Sequence, residues 1–358
     1  MSYRLDTLLL MSWLLILAAG TVMVVSASIV KGESFLYKHL LFLVLALSGF
    51  LIALMMPLNV WQQFSRLALL LAVGFCAAVL VVGDTRLGAQ RWIAVGGFSV
   101  QAGEIAKPLM LLYFAGFLSR FHGQVADDPM IMLRLLGTFA LVAVLLLFEP
   151  DFGTVVLLAI TVSAMLFLAG VKLRHFLLVV MIGLALLSIL AVVEPYRLAR
   201  LVGFLDPWAD VGNSGYQLAQ ALIGFGRGEF FGLGLGESVQ KVWYLPEAHT
   251  DFIFAVFAEE LGAVGALCLI GLFAVLVTRL LQIARQAFDV GDLFAGYLVY
   301  GITLLIGIQA LINVGVNIGV LPTKGLTLPF VSYGGNSLII CCVLLGMAFR
   351  AEMETSDG

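Results

Sequence analysis

The sequence predicts an all-α integral membrane protein with about ten transmembrane helices and one large extracytoplasmic loop. Hydrophobic residues make up 62% of the 358 positions and charged residues only 11%, which is far from the composition of a soluble domain. Apolar runs long enough to cross the roughly 30 Å hydrocarbon core of a bilayer recur along the chain. The net charge of −3 gives no basic field that would attract nucleic acid, so no nucleic-acid partner is expected.

Ten apolar runs are the predicted spans of a single membrane domain over residues 1–358. The first is expected to remain as a span, because it is too long for a signal peptide and further spans follow it. All four cysteines fall inside these runs, where they are typical of small buried residues and predict no disulfide or metal site. The runs lie near residues 8–30, 39–57, 65–83, 104–120, 132–148, 152–170, 175–193, 252–279, 295–319 and 332–349.

Basic residues near the span ends predict that both termini are cytoplasmic. An even number of spans places both termini on one side, and an excess of lysine and arginine in short loops marks the cytoplasmic side. Outside the long loop at about 194–251, nine basic residues fall on the side of the termini and six on the other. The long loop, between the seventh and eighth spans, is therefore predicted to be extracytoplasmic. Ordered loops of this length are usually binding or catalytic, and a variable linker is the alternative.

Polar residues that this orientation places near the outer face include one closely spaced pair and one lysine in a broken segment. Glu104 and Lys107 stand three residues apart at the start of a helix, so they can pair, either within a functional site or as a structural bridge. Lys324 lies between prolines and glycines that predict irregular backbone lining a cavity, and it can contact an anion or extend to the interface. The segments concerned are 88–107, 149–154, 194–251 and 321–337.

Asp251, at the beginning of the eighth span, has two interpretations of equal weight. It can be the N-terminal cap of the helix, where the helix dipole favours an acid, or a catalytic carboxylate. A regular helix would place Ala255, Ala258, Gly262 and Gly265 on one face, which would allow close packing or leave room for a cavity.

Four other polar residues in or after this loop have expected roles of their own. Glu259 and Glu260 lie roughly 12 Å deeper than Asp251 at 1.5 Å per residue, so they need partners. Structural bonds are expected, and a catalytic role is the alternative. Glu247 and His249 are expected to shape the loop at the substrate site rather than to hold a metal, since no second histidine or cysteine stands nearby.

Five ordered segments resemble the SEDS family (shape, elongation, division and sporulation), and the resemblance covers essentially the whole chain. The long loop resembles the division branch of that family more than the elongation branch. Three places depart from the usual pattern, at Ala102–Gly103, Glu149 and Asn336, and none removes a candidate catalytic group. The segments read GAQRWI with QAGEIAK, EPDFGT, FLDPWAD with GYQLAQALIGFGRG, LPEAHTDFIFAVFAEELG, and LPTKGLTLPFVSYGGNS.

The resemblance implies a ten-helix glycosyltransferase that polymerises peptidoglycan from lipid II outside the bacterial cytoplasmic membrane. Asp251 matches the family's essential aspartate, and the resemblance implies that it is the general base of an inverting transfer that releases undecaprenyl pyrophosphate. Glu104 and Lys107 match the family's cavity pair. The leaving pyrophosphate needs cations, or a divalent metal such as Mg²⁺ or Mn²⁺. The candidate cations are Arg91, Lys107, Arg197, Arg200 and Lys324.

The resemblance also implies partners and a location. A class B penicillin-binding protein, the septal transpeptidase, would crosslink the new strands, and other divisome membrane proteins would join it at the division septum. Two other classes compete with the enzyme: a lipid II flippase or transporter, and a non-catalytic division scaffold. A transporter is expected to have ionisable groups near the midplane and an internal repeat, whereas most polar groups here lie towards one face and no clear repeat is found.

Overall fold

Helices account for most of the computed structural model, which describes residues 5–86, 89–95, 98–193, 195–209, 211–212, 215–246, 248–323 and 325–356. Each of the ten predicted apolar runs corresponds to a helix. Within the described ranges, seven helices are long and apolar enough to cross a membrane, in agreement with the predicted class. The helices are α1 (Thr7–Lys31), α2 (Glu33–Met55), α3 (Leu58–Val82), α4 (Ala102–Arg120), α5 (Gln124–Asp127), α6 (Pro129–Phe148), α7 (Phe152–Leu168), α8 (Leu173–Val193), α9 (Pro195–Leu205), α10 (Tyr216–Gly228), α11 (Ile253–Asp289), α12 (Leu293–Asn317) and α13 (Gly335–Ser356).

A small sheet between α3 and α4 was missed by the all-α prediction. Its strands are β1 (Asp84–Arg86), β2 (Ala89–Val95) and β3 (Phe98–Gln101), and they pair antiparallel in the order β1-β2-β3. Trp92 stands opposite Asp84 on one side and Gln101 on the other. The strands contain Trp, Ile, Val and Phe, which favour sheet, but they are only three to seven residues long. Their strand pattern is therefore a weaker signal in the sequence than the apolar runs, which are several times longer.

Helices α4 and α12 form the centre of the bundle. Helix α12 contacts α4, α7, α11 and α13, while α4 also packs along α3. Most side chains of α4 are buried, although two of them, Glu104 and Lys107, are charged. Helix α8 lies at the periphery, packed against α7 and α9. Polar side chains on α4 and α12 are therefore largely buried inside the bundle.

Aspartates cap four of the helices directly. In each case the aspartate is the residue just before the helix, and its carboxylate accepts a hydrogen bond from a backbone amide of the first turn, as good N-cap residues do. These bonds run from Leu9 N to Asp6 at 2.9 Å, from Met130 N to Asp128 at 2.8 Å, from Thr154 N to Asp151 at 3.2 Å and from Ala295 N to Asp292 at 2.9 Å.

Helix α11 breaks at Gly262, so the condition of a regular helix, under which four small residues would share one face, is not met. Gly262 has φ 68° and ψ −174°, a conformation that glycine tolerates and other residues rarely adopt. Backbone of the segment after α10 enters the break and replaces the lost helical bonds. These replacements are Ala263 N to Glu229 O at 2.9 Å, Val264 N to Phe230 O at 3.1 Å, Leu233 N to Glu259 O at 3.0 Å and Gly234 N to Glu260 O at 3.0 Å.

The side chains of Glu259 and Glu260 fasten the same segment, as expected for structural acids. Lys241 forms a buried ion pair with Glu260, and Ser26 of α1 donates to the same carboxylate at 2.7 Å. Glu259 accepts hydrogen bonds from the Ser238 hydroxyl and from two backbone amides, and Arg227 pairs with it at 3.2 Å. The long loop is therefore attached to both α1 and α11.

The corner between α6 and α7 buries the carboxyl group of Glu149 completely. The Cys76 thiol of α3 and the Asp151 carboxylate are its neighbours, and Arg91 donates to its backbone carbonyl at 3.0 Å. Burial, reinforced by the negative charge of Asp151, raises the pKa of Glu149 from 4.5 to about 8. Glu149 is therefore mostly protonated at neutral pH.

We expect Gly262→Ala to destabilise the fold, because a Cβ there would lie 2.4 Å from the backbone atoms Gly232 N and Phe230 O. Together with the left-handed φ, this clash is expected to cost roughly 2–4 kcal/mol of unfolding free energy. The measurement is the melting temperature of the detergent-purified protein. Gly271→Ala in the same helix is the matched control, since a Cβ there meets nothing within 4 Å. Equal melting temperatures for the two variants would contradict this account of the break.

Replacing Glu149 with glutamine is expected to stabilise the protein in a pH-dependent way. Between pH 4.5 and about 8 the unfolded chain loses the Glu149 proton and the folded protein keeps it, so Glu149 increasingly destabilises the fold as pH rises. Glu149→Gln removes this titration, so its melting temperature relative to wild type should rise between about pH 5 and 8. Glu237→Gln, at an exposed position, is the control. A difference that does not change with pH would be evidence against the buried protonated acid.

Candidate functional site

The backbone of residues 249–251 is held by three successive carbonyl groups. His249 O accepts a hydrogen bond from Tyr333 N at 2.9 Å, and Thr250 O accepts one from the Ser332 hydroxyl at 2.6 Å. Asp251 O accepts from the side-chain amides of Asn313 at 3.0 Å and Asn317 at 2.9 Å. The turn that presents Asp251 is therefore fixed between α12 and the loop at 321–334.

The Asp251 side chain lies beside that loop and is not the cap of α11. A Cβ added to Gly325 would come within 3.2 Å of Asp251 Oδ2. Helix α11 begins at Ile253, and the N-cap position is occupied by Phe252, whose side chain has no polar atom to cap with. The cap interpretation of Asp251 is therefore wrong, because the helix begins one residue later than that interpretation requires.

Three amide side chains on α12 form what we call the amide ladder, consisting of Gln309, Asn313 and Asn317. Their spacing of four residues places them on one helix face, and each is almost fully buried. Gln309 donates to Thr327 O at 2.9 Å, and Asn313 donates to Leu326 O at 2.7 Å. The ladder therefore binds both the Asp251 turn and the loop at 321–334 to a single rigid helix.

The predicted pairing of Glu104 with Lys107 is present at the deeper end of the ladder. Lys107 Nζ lies 2.9 Å from Glu104 Oε1 and 2.8 Å from Oε2, and it also donates to Gln309 Oε1 at 3.0 Å. Gln309 and Asn317 are eight residues apart, or roughly 12 Å along the helix. A buried cation and the Asp251 turn are thus attached to the same face of α12 at two different depths.

His249 belongs to an aromatic cluster near the beginning of α2. Its ring centroid lies 5.2 Å from that of Phe35 and 5.8 Å from that of Tyr333, and Phe35 stacks on Tyr333 at 4.0 Å. Burial raises the pKa of the Tyr333 phenol above its usual range. These contacts agree with the expectation that His249 shapes the loop.

The structure describes only some of the remaining predicted site residues. Arg91, on β2, is half-buried, and its Nε bonds the Glu149 carbonyl at the α6–α7 corner. The backbone of Arg197 and Arg200 lies in α9, but their side chains are outside the described residues. Glu247 and Lys324 also lie outside the described residues.

A cavity of about 320 Å³ opens beside the Asp251 turn. It lies between the end of α1, the beginning of α10 and the segment that leads to His249, and it includes the single π-helical turn Gln240–Tyr244. In the described part of the chain, no three His, Cys, Asp or Glu side chains converge to hold a metal ion. A divalent ion at this site would therefore need ligands from the substrate or from side chains that are not described. The cavity is lined by Ala27, Tyr216, Lys241, Val242, Trp243, Tyr244, Leu245, Pro246, Ala248 and His249.

The amide ladder is the part of the site that the sequence interpretation missed. Three amides at positions 309, 313 and 317 of an otherwise apolar span are a recognisable signal, since buried polar groups in a membrane helix need partners. Their partners are long-range, however. Asn317 and Ala255 are 62 residues apart in the chain, so the sequence could indicate the need for partners without identifying them.

The curated relatives and a family model match almost the whole chain. A family model described as a cell cycle protein, and covering FtsW, RodA and SpoVE, matches residues 6–357. A protein from Halomonas elongata is 49% identical over 99% of this chain and 91% of its own length. One from Saccharophagus degradans is 45% identical over 98% of this chain and 93% of its own length. Both relatives are named probable peptidoglycan glycosyltransferase FtsW.

Solved structures share the fold. A chain from work on structural coordination of polymerization and crosslinking by a peptidoglycan synthase complex has a TM-score of 0.85 and 29% identity, with 99% of both chains covered. The rod shape determining protein RodA of Thermus thermophilus has a TM-score of 0.73 and 28% identity, with 98% of this chain and 97% of that chain covered. The resemblance noted in the sequence is confirmed over its full length, and the chain belongs to the FtsW/RodA/SpoVE family of cell cycle proteins.

Proposed function

We propose that this protein is a peptidoglycan glycosyltransferase of cell division that polymerises lipid II, with Asp251 as its general base. The observation that supports the proposal most directly is the fixed turn at 249–251, where three successive carbonyls are bonded. Catalysis needs such fixed placement, because a displacement of about 1 Å can cost two orders of magnitude in rate. The relatives that match most of the chain are named for the same reaction class.

In the proposed reaction, the Asp251 carboxylate accepts the proton of the 4-hydroxyl group on the acceptor's GlcNAc. The oxygen attacks C1 of the donor strand's MurNAc as the bond from C1 to the phosphate oxygen breaks, with inversion at C1. The electron pair leaves with undecaprenyl pyrophosphate, which is a stable anion. A single carboxylate therefore suffices, since the leaving group requires no separate proton donor.

Cations near the site would stabilise the charge that develops on the pyrophosphate. Lys107 is one candidate, although its ammonium group is already paired with Glu104. Arg91 uses one nitrogen to bond a carbonyl, and its remaining guanidinium donors are available to a phosphate in this proposal. Mg²⁺ or Mn²⁺ bound with the substrate would supply the same stabilisation. Arg197, Arg200 and Lys324 are the other candidate cations, and Glu247 and His249 are candidate substrate contacts.

The finer topology and the partners are part of the same proposal. All ten helices that match the apolar runs span the membrane, both termini are cytoplasmic, and the long loop lies outside with Asp251. A class B penicillin-binding protein, the septal transpeptidase, crosslinks the strands, and other divisome membrane proteins join it at the septum. This partner is supported by the similarity to a chain from a peptidoglycan synthase complex that couples polymerization with crosslinking.

Asp251→Asn is expected to lower glycan polymerisation by about 10²–10⁴-fold, because an amide cannot accept the proton. The measurement is the yield of long glycan strands from lipid II by the purified protein with its cognate transpeptidase. Asp206→Asn, also in the long loop, is the matched control. The Asp206 carboxylate accepts hydrogen bonds only from backbone amides in the described chain, and asparagine can accept these equally.

Other outcomes separate the rival classes. Normal polymer from Asp251→Asn would contradict the general-base role. Movement of lipid II across liposome membranes without any polymer would favour a transporter instead. A scaffold would give neither product, and its Asp251→Asn variant would still support division.

A further inference from the structure

We propose that Asn317 caps helix α11 in place of Asp251 and thereby keeps the Asp251 carboxylate for the reaction. Asn317 is then a positioning residue, which acts on the reaction through Asp251. The inference rests on the proposed function. The carboxylate of a residue just before a helix can cap that helix, whereas a general base must accept a proton from the substrate. The inference concerns how the fold separates these two roles.

Four other helices of this protein are capped by the aspartate that precedes them. Helices α1, α6, α7 and α12 each begin immediately after an aspartate, and that aspartate accepts a hydrogen bond from the first turn. Helix α11 differs, because Asp251 stands one position outside the cap and Phe252 occupies the cap itself. The difference therefore lies in the position of the carboxylate and not in the absence of a suitable residue.

Asn317 supplies what Phe252 lacks. Its Oδ1 accepts the hydrogen bond of Ala255 N at 3.0 Å, and Ala255 is the third residue of α11. An N-cap side chain normally accepts from the second or third amide of its own helix, so Asn317 makes the equivalent bond from a neighbouring helix. Asn317 is fully buried, which makes the loss of such a bond costly.

The same amide also fixes the position of Asp251. Asn317 Nδ2 donates to Asp251 O at 2.9 Å, and it donates to Asn313 O at 2.8 Å. One side chain therefore bonds the backbone on both sides of Phe252. This arrangement keeps Asp251 out of the cap position while the helix remains capped.

The arrangement has a chemical consequence for a general base. A carboxylate that caps a helix accepts backbone N–H bonds and interacts with the positive end of the helix dipole, and both stabilise its charged form. Such a carboxylate binds a proton less readily and is a weaker base. Because the neutral amide of Asn317 caps α11, Asp251 does not lose basicity in this way.

Asn317 makes no direct hydrogen bond to a titratable side chain in the described part of the chain. In the described chain, the hydrogen bonds of Asn317 involve only Ala255, Asp251 and Asn313. Titratable side chains on the surrounding elements include Glu104 and Lys107 on α4, Arg227 on α10, Glu259 and Glu260 on α11, His249 on the turn's own segment, and Tyr333 and Lys324 on the loop at 321–334, of which Lys324 lies outside the described residues.

The test compares the pH dependence of kcat for lipid II polymerisation, in complex with the transpeptidase, in wild type, Asn317→Ala and Asn313→Ala. In Asn317→Ala the helix loses its cap and Asp251 turns to replace it. We therefore expect kcat to fall roughly tenfold and the acid limb of the profile to move down by about one pH unit. Asn313→Ala removes a bond to Asp251 O but leaves the cap, so kcat should fall with the acid limb unchanged.

Asn317→Asp keeps an oxygen that can accept from Ala255 N, so its acid limb should not fall below the wild-type position. The pH profile of this variant can be measured even if Asn317→Ala does not fold. An acid limb at the wild-type position in Asn317→Ala, or one below it in Asn317→Asp, would overturn the proposal.

A second readout does not depend on activity. In a double-mutant cycle on melting temperature, Asp251→Ala should be more destabilising in the Asn317→Ala background than in wild type, by about 2 °C, because Asp251 caps α11 only when Asn317 is absent. Additive effects of the two substitutions on melting temperature would contradict the proposal that Asp251 caps α11 when Asn317 is absent. This cycle remains informative even if Asp251→Asn proves active, so failure of the proposed function and failure of this inference are distinguishable.

Discussion

Backbone N–H and C=O groups that leave a helix at membrane depth must find new partners, and much of this structure follows from that requirement. No water is available in the hydrocarbon region, so each unbonded group costs several kcal/mol. Helix α11 presents the problem twice, at its first turn and at Gly262. The first turn is bonded by an asparagine of α12, and the break at Gly262 by backbone of the segment after α10.

Both sets of hydrogen bonds attach a non-helical segment to a rigid helix. These attachments fix the position of the site. The break at Gly262 receives Glu229 and Phe230, so the end of α10 and the segment after it cannot move independently of α11. Lys241 and Glu260 add a buried ion pair to the same attachment. At the other end, the amide ladder binds the Asp251 turn and the loop at 321–334 together. The loop segments that form the site are therefore held in place by the helix bundle.

Local patterns in the sequence were sufficient for the helices and for one part of the site. Each of the ten apolar runs corresponds to a long helix, and the three-residue spacing of Glu104 and Lys107 indicated their ion pair, because both signals depend on neighbours within a turn or two. The cap of α11 could not be found in this way, since Asn317 lies 62 residues from Ala255. Capping rules consider only the residues adjacent to a helix, and by those rules Asp251 was as good a cap as Asp292. The break at Gly262 was missed for a similar reason, because the segment that satisfies it lies about thirty residues away.

The charges around the ladder lead to one further step about phosphate recognition. Lys107 is only 2% exposed and is neutralised by Glu104, so this pair presents no net positive charge to a phosphate group beside it. A dianionic or trianionic pyrophosphate held there would face the Glu104 carboxylate as well as the ammonium group. In the function proposed above, the positive charge for the leaving group would come from Arg91, Arg197, Arg200, Lys324 or a metal ion that arrives with the substrate. The buried pair is better suited to fixing Gln309, and through it the depth of the ladder, than to binding the phosphates by itself.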